Sequence, residues 1–184
     1  MQPRIKIILF CLLSVAFIGC DRYTKQLAKD HLMNAPEISY FHNTFILEYA
    51  ENTGAALSLG DNLPKAASFI LLSLLPLGLM VWLFIYFIQK RQQITPTKTV
   101  ALALIFSGGL GNLVDRIFFD RHVTDFMNVG IGNLRTGIFN VADMCVTGGV
   151  IVLFFSLRKE GKEEEKLEAE RLATAQPEAG SEAE

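Results

Sequence analysis

Residues 66–88 read AASFILLSLLPLGLMVWLFIYFI, twenty-three positions without a charge, and this stretch decides the fold class. As a helix it is about 34 Å long at 1.5 Å per residue, enough to cross a hydrocarbon core of about 30 Å. Three further apolar runs lie around it. Residues 5–19 are apolar apart from Lys6, a short span unless the helix continues past Asp21. Residues 99–119 are interrupted only by Asp115 and Arg116, and residues 136–157 only by Asp143. None of the runs alternates with the period of two that a barrel strand needs. Only helices or closed barrels satisfy backbone groups in lipid, so the fold expected is an all-α membrane protein with four transmembrane helices.

Composition agrees. Of 184 residues, 51% are apolar and 20% charged, with a mean hydropathy of +0.32, whereas soluble domains carry about 25% charged residues. Residues 158–184 hold nine of the nineteen acids and five of the seventeen bases, leaving twelve bases against ten acids in residues 1–157. The chain divides accordingly into a four-helix transmembrane domain, 1–157, and a charged tail, 158–184, expected to be a solvated helix fraying into disorder. No basic stripe suggests a nucleic-acid partner. Cys11, Cys20 and Cys145 lie in or beside apolar runs and read as small buried hydrophobes.

Basic residues set the orientation. Arg4 and Lys6, then Lys90, Arg91 and Lys98 in the connection 89–98, then Arg158, Lys159 and Lys162 all fall on one side, with no acid in the first two groups. That side is assigned to the cytoplasm, with both termini, and connections 21–65 and 120–135 face outward. Residues 21–32 continue the first helix with mixed charge as a surface helix. Residues 41–49 (FHNTFILEY) are β-prone, and 52–60 (NTGAALSLG) read as a turn and a small apolar stretch. A small extracytoplasmic β-rich element on the membrane surface is expected. Pro76, in mid-span, is expected to kink its helix.

Residues 1–20 admit a rival reading, because a basic start, an apolar core and FIGC (17–20) resemble a bacterial lipoprotein signal. Phe17 stands where such signals favour Leu, and an acyl anchor would be redundant beside three further spans. Residues 1–20 are read as a retained helix.

Ionisable groups at membrane depth cost roughly 2.5–3.5 kcal/mol each, so those present need a purpose. Asn112, Asp115 and Arg116 are spaced i, i+3, i+4 on one helix face. Asn140 and Asp143 are three apart, with Asp143 expected about 10 Å below the outer end of a helix starting at Thr136. Asp125 lies between the clusters in VTDF (123–126), and Gly108, Gly109 and Gly111 would allow close helix approach. Two carboxylates held close share one proton, so one can activate water while the other polarises a carbonyl. No better catalytic set exists in the chain: HExxH and GxSG are absent, His31, His42 and His122 lack metal spacing, and Ser58 has no evident base. An intramembrane acid beside Arg116 can equally be a structural ion pair, and residue chemistry leaves open which two of Asp115, Asp125 and Asp143 pair. The reading from another class is a small non-enzymatic membrane protein whose buried polar residues form an ion path or glue helices together.

Five segments in order, DRYTK (21–25), ENTGAALS (51–58), GGLGNLVDR (108–116), VTDF (123–126) and FNVAD (139–143), resemble the lipoprotein signal peptidase (signal peptidase II) family over about residues 5–157. The resemblance implies an aspartic endopeptidase of the bacterial inner membrane. Such enzymes remove signal peptides from prolipoproteins by cutting before the diacylglyceryl-modified cysteine, next to membrane lipid and without metal or cofactor. By the same resemblance Asp125 and Asp143 are the catalytic acids. Asn112 and Arg116 line the pocket for substrate and globomycin, Asn140 supports the dyad and Asp115 holds the site together. Asp21, Lys25 and Asn52 orient the outer elements or the substrate, and Gly54 belongs with the residues that bind substrate or support the site. Apart from the resemblance, residues 52–60 are expected to fold over the substrate as a lid. The chain departs from the family at Arg22, where Gln is usual, at Leu57, where Phe is usual, and at Met144, often Ser.

Overall fold

Helix α1 (Pro3–Leu32) opens with Pro3 in its first turn, where a missing N–H costs nothing. It runs unbroken through Cys20 and the mixed-charge residues beyond. The computed structural model describes residues 1–54 and 64–175. Helix α2 (Lys65–Lys90) contains one π turn, Ile70–Leu74, directly before Pro76. Proline lacks an N–H and its ring crowds the carbonyl four residues back, and a wider turn relieves both effects. Helix α3 (Pro96–Phe118) is capped by Thr95, whose Oγ1 accepts from the Lys98 N–H at 3.3 Å. Helix α4 (Val141–Ala175) continues past the apolar run into the charged tail. Residues 176–184 lie outside the described residues. All four helices are long and apolar enough to cross a membrane.

Helix α3 is the centre of the bundle. Near one end, Phe10 of α1 stacks on Phe87 of α2 with centroids 4.2 Å apart, and Leu83, Ile94, Leu102 and Ala103 complete that core. Helix α4 lies against α3 at backbone contact. A Cβ on Gly108 would stand 2.2 Å from the Ala142 carbonyl oxygen, and one on Gly149 would stand 2.8 Å from that of Ala101. Small residues thus set the spacing of this pair.

The sheet is antiparallel, in the order β1 (Ile38–Tyr40), β2 (Phe45–Asn52), β3 (Val123–Ile131), β4 (Leu134–Arg135). Strands β2 and β3 pair from Phe45↔Val129 to Asn52↔Val123, with a bulge between Leu47 and Ala50. Beyond the bulge Ala50 faces Asp125, which brings residue 52 beside the acid. The sheet packs through Phe126, Leu47 and Met127 on Ala28 and Leu32, at the C-terminal end of α1.

Three sequence expectations need correction. Helix α4 begins at Val141 rather than Thr136, because 136–140 are extended: the Thr136 N–H donates to Val129 O at 2.8 Å and the Phe139 N–H to Met127 O at 2.8 Å. Asp143 therefore lies in the first turn of its helix and not 10 Å along it. Residues 123–126, read only as part of the connection 120–135, begin the longest strand among the described residues. Of the cysteines only Cys145 is buried; Cys11 and Cys20 are exposed on the outside of α1, and all three are free.

Lys6 is buried rather than solvated. Its Nζ donates to the carbonyls of Arg91, Gln92 and Ile94 at 3.0, 3.3 and 2.6 Å. It thereby satisfies acceptors that the C-terminus of α2 and the turn into α3 leave open.

Candidate active site

Asn140 is the residue around which the site is built. It precedes α4, and its Oδ1 accepts from the Asp143 N–H at 3.0 Å, while Asp143 Oδ2 accepts from the Asn140 N–H at 3.1 Å. This is the reciprocal arrangement of a capping box, written here as N-V-A-D. It fixes the Asp143 carboxylate at the helix N-terminus, the end that favours negative charge. The Asn140 Nδ2 donates to Asp125 Oδ1 at 2.6 Å and to Asn112 Oδ1 at 3.1 Å. One asparagine, fully buried, thus joins α4, β3 and α3.

Each carboxylate oxygen of the two acids receives one N–H. Asp143 Oδ1 accepts from Asn112 Nδ2 at 2.7 Å, and Asp125 Oδ2 accepts from Asn52 Nδ2 at 3.0 Å. The Asn112 carboxamide is oriented from behind: its oxygen takes both the Asn140 donor and the Lys25 Nζ, the latter at 3.0 Å, so its nitrogen points at Asp143. Asp125 is 3% exposed. Burial pushes its pKa up to about 6, with the Asn52 hydrogen bond pulling it down and the charge of Asp143 adding to the rise. Desolvation and a nearby like charge both disfavour ionisation.

Behind this layer lies a buried ionic cluster. Lys25 Nζ is 2.8 Å from Asp21 Oδ2 and 2.7 Å from Asp115 Oδ2, with all three side chains at most 2% exposed. Arg22 pairs with the other oxygen of Asp115. Asp21 Oδ1 accepts from the Ala142 N–H at 2.9 Å, capping α4 from a separate helix. Gly111 makes room for that carboxylate, since a Cβ there would stand 2.8 Å from Asp21 Oδ2. On the other flank Arg116 Nη2 donates to Gly54 O at 2.8 Å, and the Gly54 N–H donates to Asn52 Oδ1 at 2.9 Å.

All ten residues singled out from sequence are therefore linked, in two layers. Asn52, Asn112, Asp125, Asn140 and Asp143 form the carboxylate layer, and Arg116 with Gly54 borders it. Asp21, Lys25 and Asp115 support it from α1 and α3. The expected single face of Asn112, Asp115 and Arg116 is divided between them, because Asp115 turns to α1. Arg22, noted only as a departure, is a working member of the cluster; its signal was a second cation one turn from Lys25, beside an acid. Asp125 and Asp143 are both held by Asn140, whereas Asp115 faces two cations, Arg22 and Lys25. Residues 55–63, which hold most of the expected lid, lie outside the described residues.

Comparison with known proteins places this geometry in context. A family model described as signal peptidase (SPase) II matches residues 13–159. A lipoprotein signal peptidase of Chlorobaculum parvum is 38% identical over 155 residues, covering 79% of this chain and 92% of the relative. Its counterpart in Clostridium novyi is 37% identical, covering 77% and 92%, and that of Francisella tularensis subsp. novicida is 35% identical, covering 83% and 91%. Among solved structures, a bacterial membrane enzyme superposes with a TM-score of 0.73 at 27% identity, over 85% of this chain and 92% of that one. A second superposes at 0.67 with 25% identity.

Proposed function

The chain belongs to the signal peptidase II family, and from that premise we propose that it cleaves bacterial prolipoproteins as an aspartic endopeptidase, with Asp125 and Asp143 as the catalytic pair. The observation that carries the aspartic reading is the donor set: four carboxylate oxygens, each held by one N–H from Asn52, Asn112 or Asn140. Such a set fixes two acids around a gap without neutralising either with a cation, which leaves them free to hold one proton between them. Which acid carries it is a property of the pair.

In the reaction the ionised carboxylate takes a proton from a water, and the oxygen of that water attacks the scissile carbonyl. The protonated carboxyl gives its proton to the carbonyl oxygen. Collapse of the tetrahedral diol returns that proton to the dyad and breaks the C–N bond as the cysteine nitrogen is protonated, leaving the dyad singly protonated again. Arg116 has an Nε buried without a partner among the described residues, and this donor would face a substrate carbonyl.

The cut falls before the diacylglyceryl-modified cysteine, whose acyl chains stay in the lipid beside the bundle. The excess of basic residues at 4, 6, 90, 91, 98, 158, 159 and 162 supports an orientation with both termini on the cytoplasmic side of the inner membrane and the sheet and dyad at its outer surface. Residues 1–157 act as the peptidase unit and residues 158–184 as a cytoplasmic extension. The test is an assay of the purified protein on a lipidated prolipoprotein precursor. Globomycin-sensitive release of the signal peptide is expected, and turnover by the Asp143→Asn enzyme at the normal rate would overturn the assignment of the pair.

A further inference from the structure

A cavity of about 260 Å³ lies between α1, the end of α3 and strands β2 and β3. Neither catalytic acid lines it, nor do Asn112, Arg116 and Asn140. Its α1 wall is the face carrying Arg22, Gln26 and Lys29, its far wall is Phe119 and His122, and Lys25 and Asp115 form its floor.

The lining of this cavity carries three cations, Arg22, Lys25 and Lys29, against two acids, Asp115 and Glu51. Asp115 is taken up by Arg22 and Lys25, and Asp21 by Lys25 and the Ala142 N–H. Glu51, on the sheet side, accepts from the Tyr49 hydroxyl at 2.7 Å and lies 3.9 Å from His122 Nε2. Lys29 is exposed and has no ion pair among the described residues. Arg22 gives Asp115 only Nη1 and lays its guanidinium 4.8 Å above the Phe119 ring, a stacked pose that leaves in-plane N–H groups for a second acceptor.

Its level matters as much as its charge. The apolar run of α1 ends at Gly19 and Arg22 follows one turn later, at the depth where chain meets headgroups. Below it on the same face of α1, seven residues back, Val15 is 72% exposed, and Phe119, which lines the cavity at the end of α3, is 46% exposed. A lipid whose chains lie on these apolar surfaces would bring its phosphate to the cations above. Basic pockets between membrane helices bind headgroups in this way, and a guanidinium pairs with phosphate through parallel N–H···O bonds.

We propose that this cavity binds the phosphate of a membrane phospholipid, with Arg22 and Lys29 as its cationic partners and the acyl chains lying along α1 and the end of α3. Such a lipid would brace α1 against α3 behind the Lys25 cluster, on the side away from the acids.

The test uses the full chain in phosphatidylcholine nanodiscs containing phosphatidylglycerol, extracted gently and weighed by native mass spectrometry. One phosphatidylglycerol should remain with the wild-type protein. Lys29→Gln should lower its occupancy about fivefold, the weight of one lysine near an anionic surface, and Arg22→Gln with Lys29→Gln should abolish it. Lys159→Gln, far along α4, should leave it unchanged. Lys29 is exposed and outside the core, so Lys29→Gln is decisive even if the double variant unfolds. Equal lipid retention by Lys29→Gln and wild type would overturn the proposal. Displacement of the lipid by millimolar inorganic phosphate would also overturn it, by showing a simple anion site with no hold on the chains.

Discussion

Asn140 and Asp143 cap each other: the side-chain oxygen of each accepts the backbone N–H of the other, at 3.0 and 3.1 Å. The start of α4 and the placement of one acid are therefore one structural event. The same asparagine holds the second acid through Nδ2. Its two tasks can be separated by mutation. Asn140→Ala removes both and should lower stability by about 1 kcal/mol through the lost cap, with loss of processing. Asn140→Ser restores a good cap but cannot reach Asp125 as Nδ2 does. Thermal unfolding in detergent should return toward wild type for the serine variant, while precursor cleavage stays at least about tenfold down. Full activity in Asn140→Ser would show that the bond to Asp125 is dispensable.

The two acids themselves should tolerate near-isosteric replacement with some loss of stability, because an amide nitrogen would face an N–H donor at each site, but not catalytically. Asp125→Asn and Asp143→Asn keep the side-chain shape but remove the shared proton. Cleavage of a lipidated precursor should fall by about 10³-fold or more for each, within the range of lost acid–base catalysis. The double variant should be scarcely worse than either single one, because the pair acts as a unit. Multiplicative losses in the double variant would show independent roles.

The pH profile follows from the raised pKa of Asp125, about 6. Below that value the carboxyl holds its proton, and above it the proton is lost and the pair becomes doubly ionised. The rate should fall as pH rises through the upper apparent pKa of the dyad. Asn52 donates to the ionised form of Asp125, so Asn52→Ala should raise that pKa and move the alkaline limb of kcat/KM to higher pH. An unmoved or acid-shifted limb would argue that Asp125 is not the titrating group.

Membrane helices were legible in the sequence because length and hydropathy suffice for them: residues 66–88 fall wholly inside α2. The candidate site was proposed only through ordered motifs, since spacing alone left Asp115, Asp125 and Asp143 equivalent. The difference between them is tertiary. Asp115 meets Arg22 and Lys25 from another helix, while Asp125 accepts from the amides of Asn52 and Asn140. The true start of α4 was hidden because Thr136 to Phe139 carry no charge and could continue a span, yet the N–H groups of Thr136 and Phe139 are drawn into the sheet. Lys6 looked like one more cytoplasmic charge, since nothing local says that three carbonyls some eighty-five residues away will accept its hydrogen bonds.

Lys25 is the sole cation within reach of Asp21 among the described residues, and it also meets Asp115. Lys25→Met would leave the buried Asp21 without a cation while Asp115 keeps Arg22, and breaking such a buried pair typically costs about 3–5 kcal/mol. It would also release the Asn112 carboxamide that aims at Asp143. The variant should show a lowered Tm and little folded yield, and Lys25→Met with Asp21→Asn should recover part of the stability by removing one buried charge. No recovery in the double variant would mean that Lys25 acts mainly through Asp115 and Asn112.

Close approach of α3 and α4 positions Asp143 as firmly as its cap does, because Ala142, its neighbour, is the residue that Gly108 touches. A Cβ at Gly108 would stand 2.2 Å from the Ala142 carbonyl oxygen, a backbone atom that cannot swing aside. Gly108→Ala must push the first turn of α4 away from α3, stretching the Asn112–Asp143 bond, with an overpacking cost of about 1–3 kcal/mol. At Gly148, on α4, an added Cβ would meet nothing within 4 Å, so Gly148→Ala changes composition equally without a clash. Processing and Tm should both fall for Gly108→Ala and hold for Gly148→Ala. If Gly108→Ala cleaves precursor as well as Gly148→Ala does, the helix contact does not set the geometry of the acids.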